Sequence, residues 1–333
     1  RRLTIFRARW QGAVALLCAL MLLAAGLRPA GAQTLIRDAE IENTLDRIAH
    51  PILATANLSP RRTQIYMLKD DALNAFVAGR DDIFLFTGLL RKLQSIDQLR
   101  AVIAHEAGHI VGGHMVRRNE AIKRARGTAV LGMILAAAAA VAGAPPEAAL
   151  AATITGSQFA ERGLLAHTRA EESAADQTGL YLLASSGGDP QAMRELMRLF
   201  SGQEILSARQ ADPYTRTHPL WSQRLRQIES EIARLGPGTP PDPDLVYWHE
   251  RMVAKLDAFL LPPDHALNQY RGDDEIALLA QAVAWHRRPD LSKARAAMAR
   301  LLEMRPDDPY YHELDGQIRL ESGDAAGAVA GYR

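Results

Sequence analysis

The sequence predicts an α+β fold that is mainly α-helical, with one small sheet early in the chain and an all-helical module at its end. Three observations predict it. Apolar residues recur at helical spacing over much of the chain, as in Ile41, Leu45, Ile48 and Ile52. Short strand patterns occur only between residues 64 and 86. Beyond a stretch rich in proline and glycine, residue types repeat at an interval of 34.

Taken in order, Arg1, Arg2, Arg7 and Arg9 precede an uncharged apolar run from Gly12 to Leu27 and the small residues Ala30-Gly31-Ala32. This reads 1–32 as an export signal, with Gln33 as the mature N-terminus and the periplasm as destination; an uncleaved membrane anchor is the alternative. The single cysteine, Cys18, falls inside the signal. The mature chain then has none, which excludes a disulfide scaffold, a thiol nucleophile and a cysteine-ligated metal. A composition of 48% hydrophobic and 23% charged residues is that of a globular protein. A net charge of +1 argues against a nucleic-acid partner. The cluster Arg117, Arg118, Lys123, Arg124 and Arg126 reads as a solvated helix face.

Residues 36–56 form the first helix, 64–68 a strand, and 74–77 and 82–86 two strands joined by a turn at Gly79-Arg80. A short charged helix follows, then a helix beginning near Ile96-Asp97. Residues 127–146 carry no charge, nor do 148–160; with Gly143 and Pro145-Pro146 between them they read as an alanine-rich helical hairpin. The hairpin packs against the protein body, or 127–160 lies across the cleft or makes a peripheral membrane contact. Helices follow at 171–184 and 190–200, a loop at 208–218 and a helix at 221–235. Residues 33–236 thus form one domain, 237–245 a Pro/Gly linker, and 246–333 a repeat region. There Ala294, Met298, Leu301 and Pro306 occupy tetratricopeptide positions, and Ala328 and Tyr332 lie 34 residues after the first two. The chain stops inside this second repeat, so a longer repeat array is expected.

Chemistry centres on His105-Glu106-Ala107-Gly108-His109. Histidines four apart share one helix face and can hold one tetrahedral metal, with Glu106 placed to serve as general base to a water. The apolar lead-in Leu99–Ala104 makes that helix a buried one. A third protein ligand is needed. His114 is five residues past His109, rotated by about 140° off the ligand face; that leaves it a structural role or the support of a ligand. His50, His167 and His249 have no supporting context. Glu172 and Asp176 also share a helix face: Glu172 can bind a metal while Asp176 accepts a hydrogen bond from a ligand imidazole. By spacing alone, Glu171, Glu172 and Asp176 are equally well a solvated acidic face.

In this combination the sequence resembles the M48 (Ste24/HtpX-type) metallopeptidases. Their H-E-x-x-H is His105–His109, and their E-x-x-x-D is Glu172–Asp176, preceded by Arg169. Asn74-Ala75-Phe76 followed by Ile83 to Leu90 resembles the family's active-site edge strand, which implies substrate binding along Asn74, Ala75, Phe76, Phe84 and Phe86. Thr217-His218-Pro219 with Arg224 resembles a later signature, which implies that His218 and Arg224 assist the oxyanion; His218 could also approach the metal and block it in a resting state. The sequence departs from the pattern at Thr168, where the family carries serine, and in the charged turn Gly79-Arg80-Asp81-Asp82. The resemblance covers residues 36–235. It implies a zincin-like metalloprotease domain holding one Zn2+ through His105, His109 and Glu172, with Glu106 as general base. With the signal and the repeats, it implies a periplasmic endopeptidase for protein substrates in quality control of envelope and outer-membrane proteins, with envelope protein partners docked on the repeats. A chaperone or scaffold with a latent protease site is the alternative from another class.

Overall fold

The computed structural model describes residues 34–79, 81–141, 168–206, 218 and 222–331, and its fold is α+β and mainly α-helical, as expected. The expected signal, Arg80 of the turn, the second arm of the hairpin, most of the 208–218 loop and Tyr332 lie outside the described residues.

β1 (Thr34–Ile36) leads into α1 (Ala39–Thr55), which Asp38 caps by accepting from the Ile41 N–H at 3.0 Å. Ile41, Leu45, Ile48 and Ile52 form the buried stripe that their spacing requires. β2 (Ile65–Lys69), β3 (Ala75–Ala78) and β4 (Asp82–Phe86) complete a sheet of order β1-β2-β4-β3. β4 runs parallel to β2 and antiparallel to β3, which is the terminal strand. Alternation divides the sheet into two faces. Ile65, Met67, Ala75, Val77, Ile83 and Leu85 enter the core. Tyr66, Phe84 and Phe76 stack in a row on the other face, with centroids 5.3 and 5.2 Å apart.

After α2 (Thr87–Lys92), α3 (Ile96–Val111) starts at Ser95, whose hydroxyl accepts from the Gln98 N–H. Every residue of α3 from Ile96 to His109 is buried, so this helix is a core element rather than an amphipathic surface one. α4 (His114–Val141) is one continuous helix that takes in the basic cluster as well as the start of the uncharged run. The helix α5 spans 168–185, followed by α6 (Gln191–Leu206) and α7 (Ser222–Leu235).

The next helix begins inside the Pro/Gly stretch. Asp242 caps α8 (Pro243–Leu260) and Pro243 takes the first turn, where a missing N–H costs nothing, so the last residues of the Pro/Gly stretch are helical. α9 (Pro263–Gln269), α10 (Glu275–Arg287), α11 (Leu291–Met304), α12 (Pro309–Glu321) and α13 (Ala325–Gly331) follow. Asp274, Asp290, Asp308 and Asp324 cap α10 to α13, and alternate caps are 34 residues apart in the sequence.

Two apolar cores meet in α8. Met252 and Leu256 face the core built from the sheet, α1, α3, α5, α6 and α7, while Ala254 and Ala258 face that of α10, α11 and α12. The same helix carries a buried ion network. Arg251 forks onto Asp308 at 2.6 and 3.0 Å, touches Glu40 and lies 3.9 Å from the Tyr311 ring centroid. Lys255 reaches Asp38 and Glu40 at 2.8 and 2.9 Å. α1 and α12 are thereby joined through α8. Among the described residues no helix is long and apolar enough to cross a membrane.

Candidate metal centre

The helical period places His105 and His109 on one face of α3, and α5 crosses α3 at that point. Two glycines permit the approach. A Cβ on Gly108 would lie 2.6 Å from the Ala175 carbonyl oxygen, and one on Gly179 would lie 2.9 Å from the Cα of His105. Glycine inside a helix costs roughly 1 kcal/mol relative to alanine, so these two mark a packing need. Gly108 lies inside the His105–His109 segment and Gly179 three residues beyond Asp176, a signal that the sequence carries but that motif spacing does not point to.

The crossing brings Glu172 and Asp176 against the imidazoles, and the segment before α7 adds His218. His105, His109, Glu172 and His218 each offer a ligand atom within 4.8 Å of the others, and all four are buried. The two Nε2 atoms of His105 and His109 are 3.1 Å apart. Glu172 oxygens lie 3.5 Å from each of these nitrogens. His218 Nδ1 lies 3.3 Å from His105 Nε2 and 3.2 Å from both Glu172 oxygens. Four ligands about 2.05 Å from a tetrahedral zinc would be separated by about 3.3 Å, so these spacings are the edges of such a site. Converging lone pairs at these distances also call for a cation between them.

Glu106 is the second sign. It is 1% exposed, and neither carboxylate oxygen has a hydrogen-bond partner among the described residues; His218 Nε2 lies 3.5 Å from Oε1. A buried carboxylate without partners is costly, and such groups mark functional chemistry. Burial raises Glu106 above the usual carboxylate range, and the His218 and His105 charges do not cancel that.

The surrounding residues carry fixed roles. Asp176 Oδ1 lies 3.1 Å from His105 Nδ1. Arg224, 1% exposed, donates to Asp176 at 2.6 and 2.7 Å and pairs with Glu172 at 3.0 Å. Burial would raise both carboxylates, but His218, His105 and Arg224 hold Glu172 well below its ordinary range, and Arg224 with His105 lowers Asp176. Burial alone would depress His105, but Asp176 and Glu172 outweigh it and push the imidazole up to about 10. His109, buried beside the His105 and His218 charges, stays well below the usual histidine range. The acidic residues of α5 are therefore not a solvated face: Glu171, Glu172 and Asp176 are all buried.

The expected substrate-binding residues divide by the strand alternation. Phe76 lines the cavity over Glu106 and His109. Phe84 stacks on Phe76, and Phe86 meets its edge at 5.9 Å. Asn74 and Ala75 are buried, and the Asn74 carbonyl accepts from the Phe86 N–H. The cavity itself is only about 50 Å³, room for water and not for a peptide.

The chain is 26% identical to the beta-barrel assembly-enhancing protease of Yersinia pestis over 305 residues, covering 89% of this chain and 62% of that protein. It is 28% identical to the putative beta-barrel assembly-enhancing protease of Vibrio cholerae over 289 residues, covering 84% and 58%. The mitochondrial metalloendopeptidase OMA1 of Schizosaccharomyces pombe is 28% identical over 185 residues, covering 56% of this chain and 51% of that protein. The chain thus spans about three fifths of the length of the first two relatives. The model of peptidase family M48 matches residues 36–232, more than half of the chain and the whole of the metal cluster: the chain belongs to peptidase family M48.

Proposed function

We propose that the protein is a zinc-dependent endopeptidase acting on protein substrates in the periplasm, in quality control of envelope and outer-membrane proteins. The observation that carries the reading is the four-donor cluster with Glu106 beside it, a buried carboxylate with no hydrogen-bond partner among the described residues. M48 peptidases are zinc-dependent, and two imidazoles with one carboxylate are a zinc-binding set. Zinc held by His105, His109 and Glu172 supplies Lewis acidity and lowers the pKa of a bound water toward neutrality. Glu106, raised by burial, is suited to take the proton of the attacking water and pass it to the leaving amine. Asp176 and Arg224 hold His105 and Glu172 in place. The terminal strand β3 offers its backbone edge to an extended substrate, with Phe76 at the cavity wall. The names of the relatives support the outer-membrane assignment. The basic N-terminal segment supports export, and the 34-residue spacing of the caps supports tetratricopeptide docking of envelope partners. The run of exposed Val130, Leu131, Met133, Ile134 and Leu135 on α4 supports a peripheral membrane contact.

A specific observation favours latency in this state. His218 Nδ1 stands among the ligand atoms, where it would compete with a water for a zinc ion held there, and the cavity over Glu106 is about 50 Å³. The arrangement is a resting one, and catalysis requires His218 to leave; once displaced, it is placed to assist the oxyanion with Arg224 behind the carboxylates. Metal content of the wild type beside Glu172→Ala, with casein cleavage with and without a chelator, tests the assignment. About one zinc per chain, lost in the variant, with chelator-sensitive cleavage supports it; no zinc in the wild type refutes it. Zinc without cleavage makes His218→Ala decisive: activation supports a latent peptidase, and continued inactivity favours the chaperone or scaffold.

A further inference from the structure

We infer that His114 is a positioning residue for the metal: it accepts a hydrogen bond from His109 and so fixes which His109 nitrogen is free to bind zinc. The inference rests on the zinc reading above. The His114 Nδ1 and His109 Nδ1 atoms are 2.8 Å apart, and the rings meet edge to face with centroids at 4.8 Å. At that distance one of the two nitrogens carries the proton. His109 turns its Nε2 to His105 Nε2 and Glu172, so its proton belongs on Nδ1, donated to His114 Nδ1. His114 is 3% exposed, which shields the bond from water.

The local sequence is built for this contact. α3 ends at Val111, Gly113 takes φ +63°, a conformation open to glycine, and the next helix begins at His114. A Cβ on Gly112 would lie 2.3 Å from His114 Nε2, so the ring sits in the space that glycine leaves. Continued helix would have carried His114 about 140° off the ligand face. The glycine pair instead folds it back onto the last turn of α3, behind the ligand.

The two ligand histidines are then held by unlike partners. His105 Nδ1 faces the Asp176 carboxylate at 3.1 Å, an anion that strengthens the imidazole as a donor to metal. His109 Nδ1 faces a second imidazole, which fixes direction while adding no fixed negative charge.

The test is the zinc dissociation constant of the full chain, stripped of metal and titrated against a chromophoric chelator. The unfolding midpoint of each metal-free variant is read alongside. His114→Phe keeps a ring and removes the acceptor; His114→Asn keeps an acceptor near the Nδ1 position. We expect His114→Phe to weaken zinc about 10- to 100-fold and His114→Asn to stay within a few-fold of wild type, with equal metal-free midpoints. Gly112→Ala, which drives a Cβ into the imidazole, should give a loss like that of His114→Phe. Wild-type affinity in His114→Phe overturns the inference while leaving the zinc reading intact. Equal losses in Phe and Asn variants, with lowered metal-free midpoints, make His114 a packing residue and also overturn it. Absence of zinc binding in the wild type removes both.

Discussion

Two buried charged clusters lie in this protein, and they are built on opposite plans. Around Arg251, each charge has fixed partners: Asp308, Glu40, Lys255 and Asp38 form a closed network that fastens α1 to α12 through α8. Around His105, ligand atoms converge within 4.8 Å, and Glu106 beside them has no hydrogen-bond partner among the described residues. A closed network can only be broken, whereas an open one can be completed by a cation and a reacting water. The contrast singles out the candidate site without reference to any motif.

The largest expected effect is on the open cluster. Glu106→Gln should cut casein cleavage by about 100- to 10,000-fold while zinc content stays at the wild-type level. Full activity in that variant would make the orphaned carboxylate a structural accident. The closed cluster should answer in stability. Arg251→Ala removes the guanidinium from Asp308 and leaves Glu40 with Lys255 alone, and should cost about 3 kcal/mol in urea unfolding with unchanged zinc stoichiometry. If zinc is lost as well, the two clusters are not independent and the comparison fails.

Two histidines sharpen it further. His105, despite burial, is pushed up to about 10 by carboxylates, whereas His249, buried on α8 with no hydrogen-bond partner for its Nε2 among the described residues, is pushed down to about 4 by burial. For His249 the folded state resists protonation that the unfolded chain accepts. Stability is therefore intact above the unfolded value of 6.5 and declines as pH falls toward 4, by roughly 3 kcal/mol for this group. His249→Leu should flatten unfolding free energy measured between pH 7.5 and 4.5; an unchanged slope would assign the acid sensitivity to other groups. The smallest effect is expected from Asp176→Asn, which keeps the shape and removes the charge facing His105. Zinc affinity should fall about 10- to 100-fold, and the proton release that accompanies zinc binding, read by calorimetry in two buffers, should fall with it. Affinity unchanged within error would show that Asp176 serves Arg224 alone.

The sequence already held what is local. His105 with His109, and Glu172 with Asp176, lie on shared faces because the helical period requires it, and the stripe of α1 and alternation of β2 to β4 follow from the same arithmetic. The aspartate caps were equally available, since a cap acts within three residues of its helix. What spacing could not decide was whether Glu171, Glu172 and Asp176 face solvent or a metal, because that depends on a helix crossing between residues about 70 apart. Only the tertiary structure shows the crossing, the glycines that permit it, His218 among the ligand atoms and Arg224 locked onto two carboxylates. It also decided the place of His114: a continuous helix would have turned it about 140° from His109, whereas the helix break at Gly112-Gly113 leaves the two Nδ1 atoms 2.8 Å apart. Periodicity is fixed by backbone geometry and is written in the sequence. Burial and convergence arise when distant elements pack, and no short segment of chain carries them.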